Sequence, residues 1–315
     1  PVQSYSYDKT SANFNSKTWQ ADSVTRRIRI TSNSWTWDYF ASHGSDPDGP
    51  IDIQFVEGAD YISIDLSHKL ANYDIRLSEI DSSIDPLIDP SGNIVAAIAQ
   101  NNYTDATLRS FFFVPDYLAT LDIEHTNIGF LDLYFSGLDR DTFVINYGSK
   151  TFTGDMPSSG SANYGIFGEA LYTEYPTSSS AFRYLVRGDG SLTANFSSNK
   201  ISGSLQLSSF YDYTNFLRYG ATSESQIINA PVFTINFPET SISGNSFEND
   251  IDNLITLTSG NFGISGDGIS GGSFFGPGGK EISGTFLMSK GGSDTTTLDE
   301  WDLIGAFYGT CKPGC

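Results

Sequence analysis

The chain has 315 residues, 38% of them hydrophobic, which is enough to bury one large core or two modest ones without added staples. Its 37 Asp and Glu against 17 Lys and Arg give a formal net charge of −20, which repels phosphate backbones and argues against a nucleic-acid partner. No stretch approaches the run of about 20 apolar residues that a transmembrane helix requires.

The same acidity favours solubility, Ca²⁺ and basic protein surfaces, and is also what a solvated exterior looks like. Position 1 is Pro, and neither a basic nor an apolar leader region follows. Any secretion signal or lipid-anchor cysteine is therefore expected to lie outside this sequence, and export is permitted.

Aromatic residues make up 14% and glycines number 31. From the N-terminus, SVTRRIRI, IDIQFVEG, YISIDLSH and TFVINYG alternate or concentrate β-branched and aromatic residues, as strands do. Irregular Asp/Ser/Pro loops separate them, including SHGSDPDGP and DSSIDPLIDPSGN, a pattern suited to an open sheet that displays large loops. The one helical signal is a single turn at 117–119 in PDYLATL, opened by Pro115 and Asp116.

The stretch SSGSA at 158–162 follows Gly154 and Pro157 and has linker composition, which places a boundary near residue 155. The expected organisation is a β-rich domain over 1–155 and a second β unit over 156–315. In the second unit SLTANFSSNKISGSLQL is the clearest hairpin. Leu192, Ala194 and Phe196 share one face, a turn falls at 197–200, and Ile201, Gly203, Leu205 and Leu207 share a face of the return strand. Further strands are expected at 164–172, 182–187, 232–237, 242–247, 255–258, 271–275, 282–288 and 303–308, enough to close a barrel of about eight strands. Closure removes the edges that invite aggregation.

The most specific stretch is GISGGSFFGPGGKEISGTFLM, residues 268–288, two strands around a Phe-Phe-Gly-Pro turn. Gly271, Gly272 and Gly284 let tightly curved strands bend past bulky partners, and Phe274, Phe275 and Phe286 supply core area. Glu281 opens the return strand, where a carboxylate accepts backbone N–H bonds.

These residues resemble a signature of the transferrin-binding protein B-like β-barrel family, which comprises bacterial surface lipoproteins and haemophores. The family pattern GxFFGPxAxEhGGxF runs here from Gly272 to Phe286, with Gly279 in place of the usual Ala and Ser283 in place of the first paired Gly. DMPSSGSANYGIFGEA, residues 155–170, is similar to the family's barrel opening, and LIGAFYG, residues 303–309, to its closing strand. The resemblance implies an all-β lobe: an N-terminal β-rich handle domain followed by a C-terminal eight-stranded antiparallel β-barrel. It also implies a non-enzymatic binding protein of a Gram-negative cell, either lipid-anchored on the outer membrane or secreted. Such a protein would take a host iron or haem carrier, or haem itself, and hand its cargo to an outer-membrane transporter. The family's binding loops vary, so no binding residue is carried over.

Haem iron needs an axial His or Tyr beside an apolar slot. Of three histidines, His43 lies in the loop ASHGSDPDG next to Trp35, Trp37, Tyr39 and Phe40, which makes it the haem candidate; His68 and His125 read as packing or surface residues. Asp46, Asp48 and Asp52 surround Gly49 at a spacing able to hold Ca²⁺, as do Asp81, Asp85 and Asp89, although Asx-turns explain both clusters. Cys311 and Cys315 in CKPGC are spaced to close a terminal disulfide ring, and two ligands do not complete a structural zinc site. There is no phosphate-cradling glycine loop on a helix, nucleophile elbow or HExxH. Trp19, Trp35 and Trp37 would also suit stacking on sugar rings, so a cell-surface glycan-binding module is the alternative reading.

Overall fold

The computed structural model describes the backbone of nineteen strands. With their side chains it describes residues 123–130, 142–174, 182–213, 226–227, 230–249, 253–259, 264–290 and 301–312.

The first sheet contains β1 (Thr18–Thr31), β2 (Ser34–Phe40), β3 (Ile51–Phe55), β4 (Tyr61–Leu66), β5 (Tyr73–Arg76), β6 (Leu87–Ile88), β7 (Ile94–Asn102), β8 (Ala106–Phe113), β9 (Thr126–Phe135) and β10 (Arg140–Gly148). Its order is β5-β4-β3-β1-β10-β9-β8-β7-β6, with β2 also on β1. The long β1 is the spine: residues 22–28 pair with β10, 25–31 with β2 and 18–21 with β3, all antiparallel. The β-branched runs read from the sequence as strands lie on β1, β3, β4 and β10. The helical turn expected at 117–119 lies outside the described residues.

The second sheet contains β11 (Ser161–Thr177), β12 (Ser180–Asn195), β13 (Lys200–Asp212), β14 (Phe233–Ser243), β15 (Ser246–Glu248), β16 (Ile255–Thr258), β17 (Ser265–Phe275), β18 (Glu281–Ser289) and β19 (Trp301–Cys311). Neighbours in sequence pair as hairpins, and β19 returns to β11 over eleven residue pairs, so the sheet closes. β15 and β16 are two pieces of one broken stave between β14 and β17, which makes eight staves in all. At the break side chains replace the ladder. The buried Asn249 amide donates to Thr240 Oγ1 at 2.6 Å and to the Asn253 carbonyl at 3.0 Å, and its Oδ1 accepts from the Ser270 hydroxyl at 2.6 Å.

Alternation along each stave sends one set of side chains inward, and they fill the barrel. At one end Tyr172 meets Phe233 at 4.9 Å, Trp301 at 6.1 Å and Phe210 at 6.2 Å between ring centroids. At the other end Phe274 meets Tyr164 at 5.8 Å, Phe196 at 5.9 Å and Phe247 at 5.8 Å. Phe307 bridges Phe237 and Phe247 in the middle. Glycines make room for these rings: a Cβ on Gly272 would stand 2.7 Å from the tip of Phe247, and one on Gly284 would overlap the Phe307 ring. The barrel is thus a packed scaffold rather than a container.

Two local expectations are corrected. Residues 182–187 and 192–195 are not separate strands but parts of the continuous 16-residue β12. The Gly188-Asp189-Gly190 run between them is the point where β12 passes β13 closely, with a register shift after Arg187 and no room for a Cβ on Gly188 against the Gln206 carbonyl. Residues 242–247 do not form one strand either, because Gly244 (φ +61) turns the chain, so that β14 ends at Ser243 and Ile242 pairs with Phe247 on β15.

β18 and β19 are buried on both faces through nearly their whole length, unlike β14, whose outward residues are exposed. β1, β9 and β10 lie against them and cover their outer wall.

Candidate functional site

The two barrel ends differ. One closes with tight turns at 196–199, 244–245 and 276–280. The other carries the longer connections 213–232, 259–264 and 290–300. The large hydrophobic residues that stand exposed among the described residues all belong to this looped end: Phe182 at 54%, Val232 at 43% and Ile227 at 38%. Ile227 is held in place by its N–H, which donates to the Phe210 carbonyl at 2.8 Å.

Around the mouth the Tyr172 hydroxyl donates to Glu174 Oε1 at 2.9 Å, and its ring stacks on Tyr184 at 6.1 Å. Burial first, and then the Glu174 carboxylate, push the Tyr172 phenol well above its ordinary value. Burial followed by Glu174 and Asp212 does the same to Tyr184. Both phenols therefore stay neutral.

The signature turn lies at the opposite end, where it joins barrel to handle. The buried Glu281 carboxylate accepts from the Glu124 N–H (2.8 Å to Oε1) and the His125 N–H (2.9 Å to Oε2). Thr151 Oγ1 donates to the Gly276 carbonyl at 2.7 Å, the Thr151 N–H to the Phe274 carbonyl at 2.8 Å, and the Asn245 amide to the Thr151 carbonyl at 2.6 Å. Gly276 has φ +71, and any Cβ there would overlap the His125 ring. The role expected for Glu281, accepting backbone N–H bonds, is therefore met, and the groups it binds are in the handle. His125 packs at this seam.

The residues read as ligand candidates map as follows. Trp35, Trp37 and Tyr39 occupy alternate positions of β2, opposite Ile30, Ile28 and Arg26 of β1. Asp52 is on β3, paired with Gln20 and Asp65. His43, Asp46 and Asp48 lie outside the described residues, as do His68, Asp81, Asp85 and Asp89. Cys311, at the end of β19, is disulfide-bonded, and Cys315 lies outside the described residues. Among the described residues no His, Cys, Asp and Glu cluster is arranged to hold a metal. The exposed residues of the looped end were missed because Phe182 and Val232 read as the first residues of strands.

A buried ion pair sits on the outer wall. Glu169 of β11 is fully buried and contacts Arg187 Nε of β12 at 2.6 Å, and the Arg187 guanidinium lies 5.9 Å from the Tyr211 ring centre. Burial pushes the Glu169 carboxyl up to about 7, against the lowering pull of Arg187.

A packed antiparallel barrel with a second sheet laid on one side, one end tightly turned and the other looped, defines an all-β scaffold of two sheets. Residues 156–310 match the family described as C-lobe and N-lobe beta barrels of Tf-binding protein B. The chain is similar to a transferrin-binding protein B double mutant from Haemophilus parasuis Hp5, at 13% identity, covering 94% of this chain and 76% of that one with a TM-score of 0.43. Against intact Ap-TbpB the figures are 14%, 91%, 61% and 0.43. Against isotype 1 transferrin binding protein B of serogroup B Neisseria meningitidis they are 13%, 92%, 43% and 0.41. No curated protein sequence matches the chain. No helix among the described residues is long and apolar enough to cross a membrane.

Proposed function

We propose that the chain is a non-enzymatic binding protein on the surface of a Gram-negative bacterium, lipid-anchored or secreted, that captures a host iron-carrier protein for nutrient acquisition. The match of residues 156–310 to the barrels of Tf-binding protein B carries this reading. In it the chain divides near residue 155 into handle and barrel, and cargo passes to an outer-membrane transporter. The packed interior favours a protein partner at the looped end over a small molecule held inside the barrel. Phe182, Val232 and Ile227 are the anchors in this account.

The test is direct binding of the purified chain to iron-loaded and iron-free transferrins from a panel of vertebrate hosts, with a haemin absorbance titration beside it. Saturable binding to a transferrin supports the reading. A one-to-one haemin shift lost in His43→Ala, with no transferrin binding, would replace it with a haem carrier.

A further inference from the structure

We infer that the outer wall of the barrel carries a binding site for a single neutral sugar ring, at the seam where Ile123 of the handle meets β11, β12 and β19. A cleft of about 300 Å³ lies there. That is at the lower edge of the range for small-ligand pockets, about 300 to 1,000 Å³, and it gives room for one hexose but not for a porphyrin.

The cleft exists because of one glycine. On β11 the core takes Ala162, Tyr164 and Ile166, so Asn163, Gly165 and Phe167 face outward. Pairing sets three rows across the wall. Tyr308, Phe167 and Asp189 form the first; Thr310, Gly165 and Ser191 the second. Lys312, Asn163 and Thr193 form the third, tied by the Lys312 N–H to the Asn163 carbonyl at 2.9 Å and by the Thr193 hydroxyl to Asn163 Oδ1 at 2.8 Å. Gly165 leaves the middle row without a side chain, and the dent has an aromatic side and a polar side.

The chemistry of the rim selects the ligand. Phe167 and Tyr308 form a tilted pair with centroids 5.7 Å apart; Tyr308 is buried and Phe167 half-buried, leaving part of its ring to receive an apolar C–H face. Asp189 is exposed and forms no ion pair among the described residues, so its carboxylate is open to accept from neighbouring hydroxyls. Across the dent the Lys312 stem passes Gly165, where a Cβ would stand 3.2 Å from Cε, and its ammonium also has no ion pair among the described residues. The ammonium opposes a cationic occupant and the carboxylate an anionic one. A neutral polyol with one apolar face satisfies both charges and the exposed Ser191 hydroxyl, using donors and acceptors together.

The probes are free glucose, galactose, mannose and N-acetylglucosamine, titrated against the full chain and followed by saturation-transfer and chemical-shift NMR. At least one is expected to bind saturably, in the millimolar range for so small a contact. Gly165→Val fills the dent, and its only close neighbour is the flexible end of Lys312, so it should fold normally and lose binding at least tenfold. Asp189→Asn should weaken the same sugar while leaving the unfolding temperature unchanged. Failure of all four sugars to bind, or binding that both variants retain, would overturn the inference, as would preference for a simple amine or carboxylate over every sugar. The transferrin experiment is independent of these outcomes.

Discussion

Replacing Glu281 with Ala should loosen the join between handle and barrel. The carboxylate accepts the N–H groups of Glu124 and His125, at 2.8 Å and 2.9 Å, from a fully buried position. Each buried donor left without an acceptor costs about 1–3 kcal/mol, and these bonds are charge-assisted. Both bonds are only part-buried along their length, so water recovers some of the loss, and about 2–4 kcal/mol is expected for Ala. Glu281→Gln keeps one oxygen and should lose about half as much. Urea unfolding followed by tryptophan fluorescence measures the total, and hydrogen exchange at the amides of 124 and 125 localises it. Both amides should exchange faster while those of β13 keep their protection. An Ala variant within about 0.5 kcal/mol of the parent, with unchanged exchange at those amides, would refute the role given to Glu281.

Gly284→Val forces a side chain into the Phe307 ring and the Gly271 carbonyl, so it should destabilise the barrel by about 1–3 kcal/mol or prevent folding, read by thermal unfolding and expression yield. Burial pushes the Glu169 carboxyl up from its ordinary value of 4.5 to about 7, so the folded state holds a proton that the unfolded chain releases between those values. Its contribution is therefore fully present below about 4.5 and lost as pH rises through about 7, with an upper bound of about 3–4 kcal/mol at about 1.4 kcal/mol per pKa unit. Glu169→Gln should flatten the rise in stability seen on acidification across that window; an unchanged pH slope in urea titrations would contradict this.

The residues show why the barrel was legible and the exposed residues of its looped end were not. Inward positions such as Leu192, Ala194 and Phe196 repeat every second residue because one wall faces a packed core, and that period survives in the sequence. Glu281 was legible as an N–H acceptor, but its partners lie 156 and 157 residues away, a distance no local pattern spans. β18 and β19 lack alternation because a second sheet covers their outer wall, and a continuous apolar run alone does not say what covers it. The exposed Phe182 and Val232 have the composition of strand starts, and only closure of the barrel shows that they sit at its looped end.

The central claim is that the looped end of the barrel holds a host iron carrier. Its most direct test is the affinity of the Phe182→Asp, Val232→Asp double variant for the transferrin that binds the parent chain, measured by biolayer interferometry with unfolding curves as the fold control. Both side chains are already exposed, so stability should stay within about 0.5 kcal/mol, while loss of two central apolar anchors should weaken binding at least tenfold, about 1.4 kcal/mol. Equal affinity in a normally folded double variant would contradict the account and move the binding surface away from the barrel mouth.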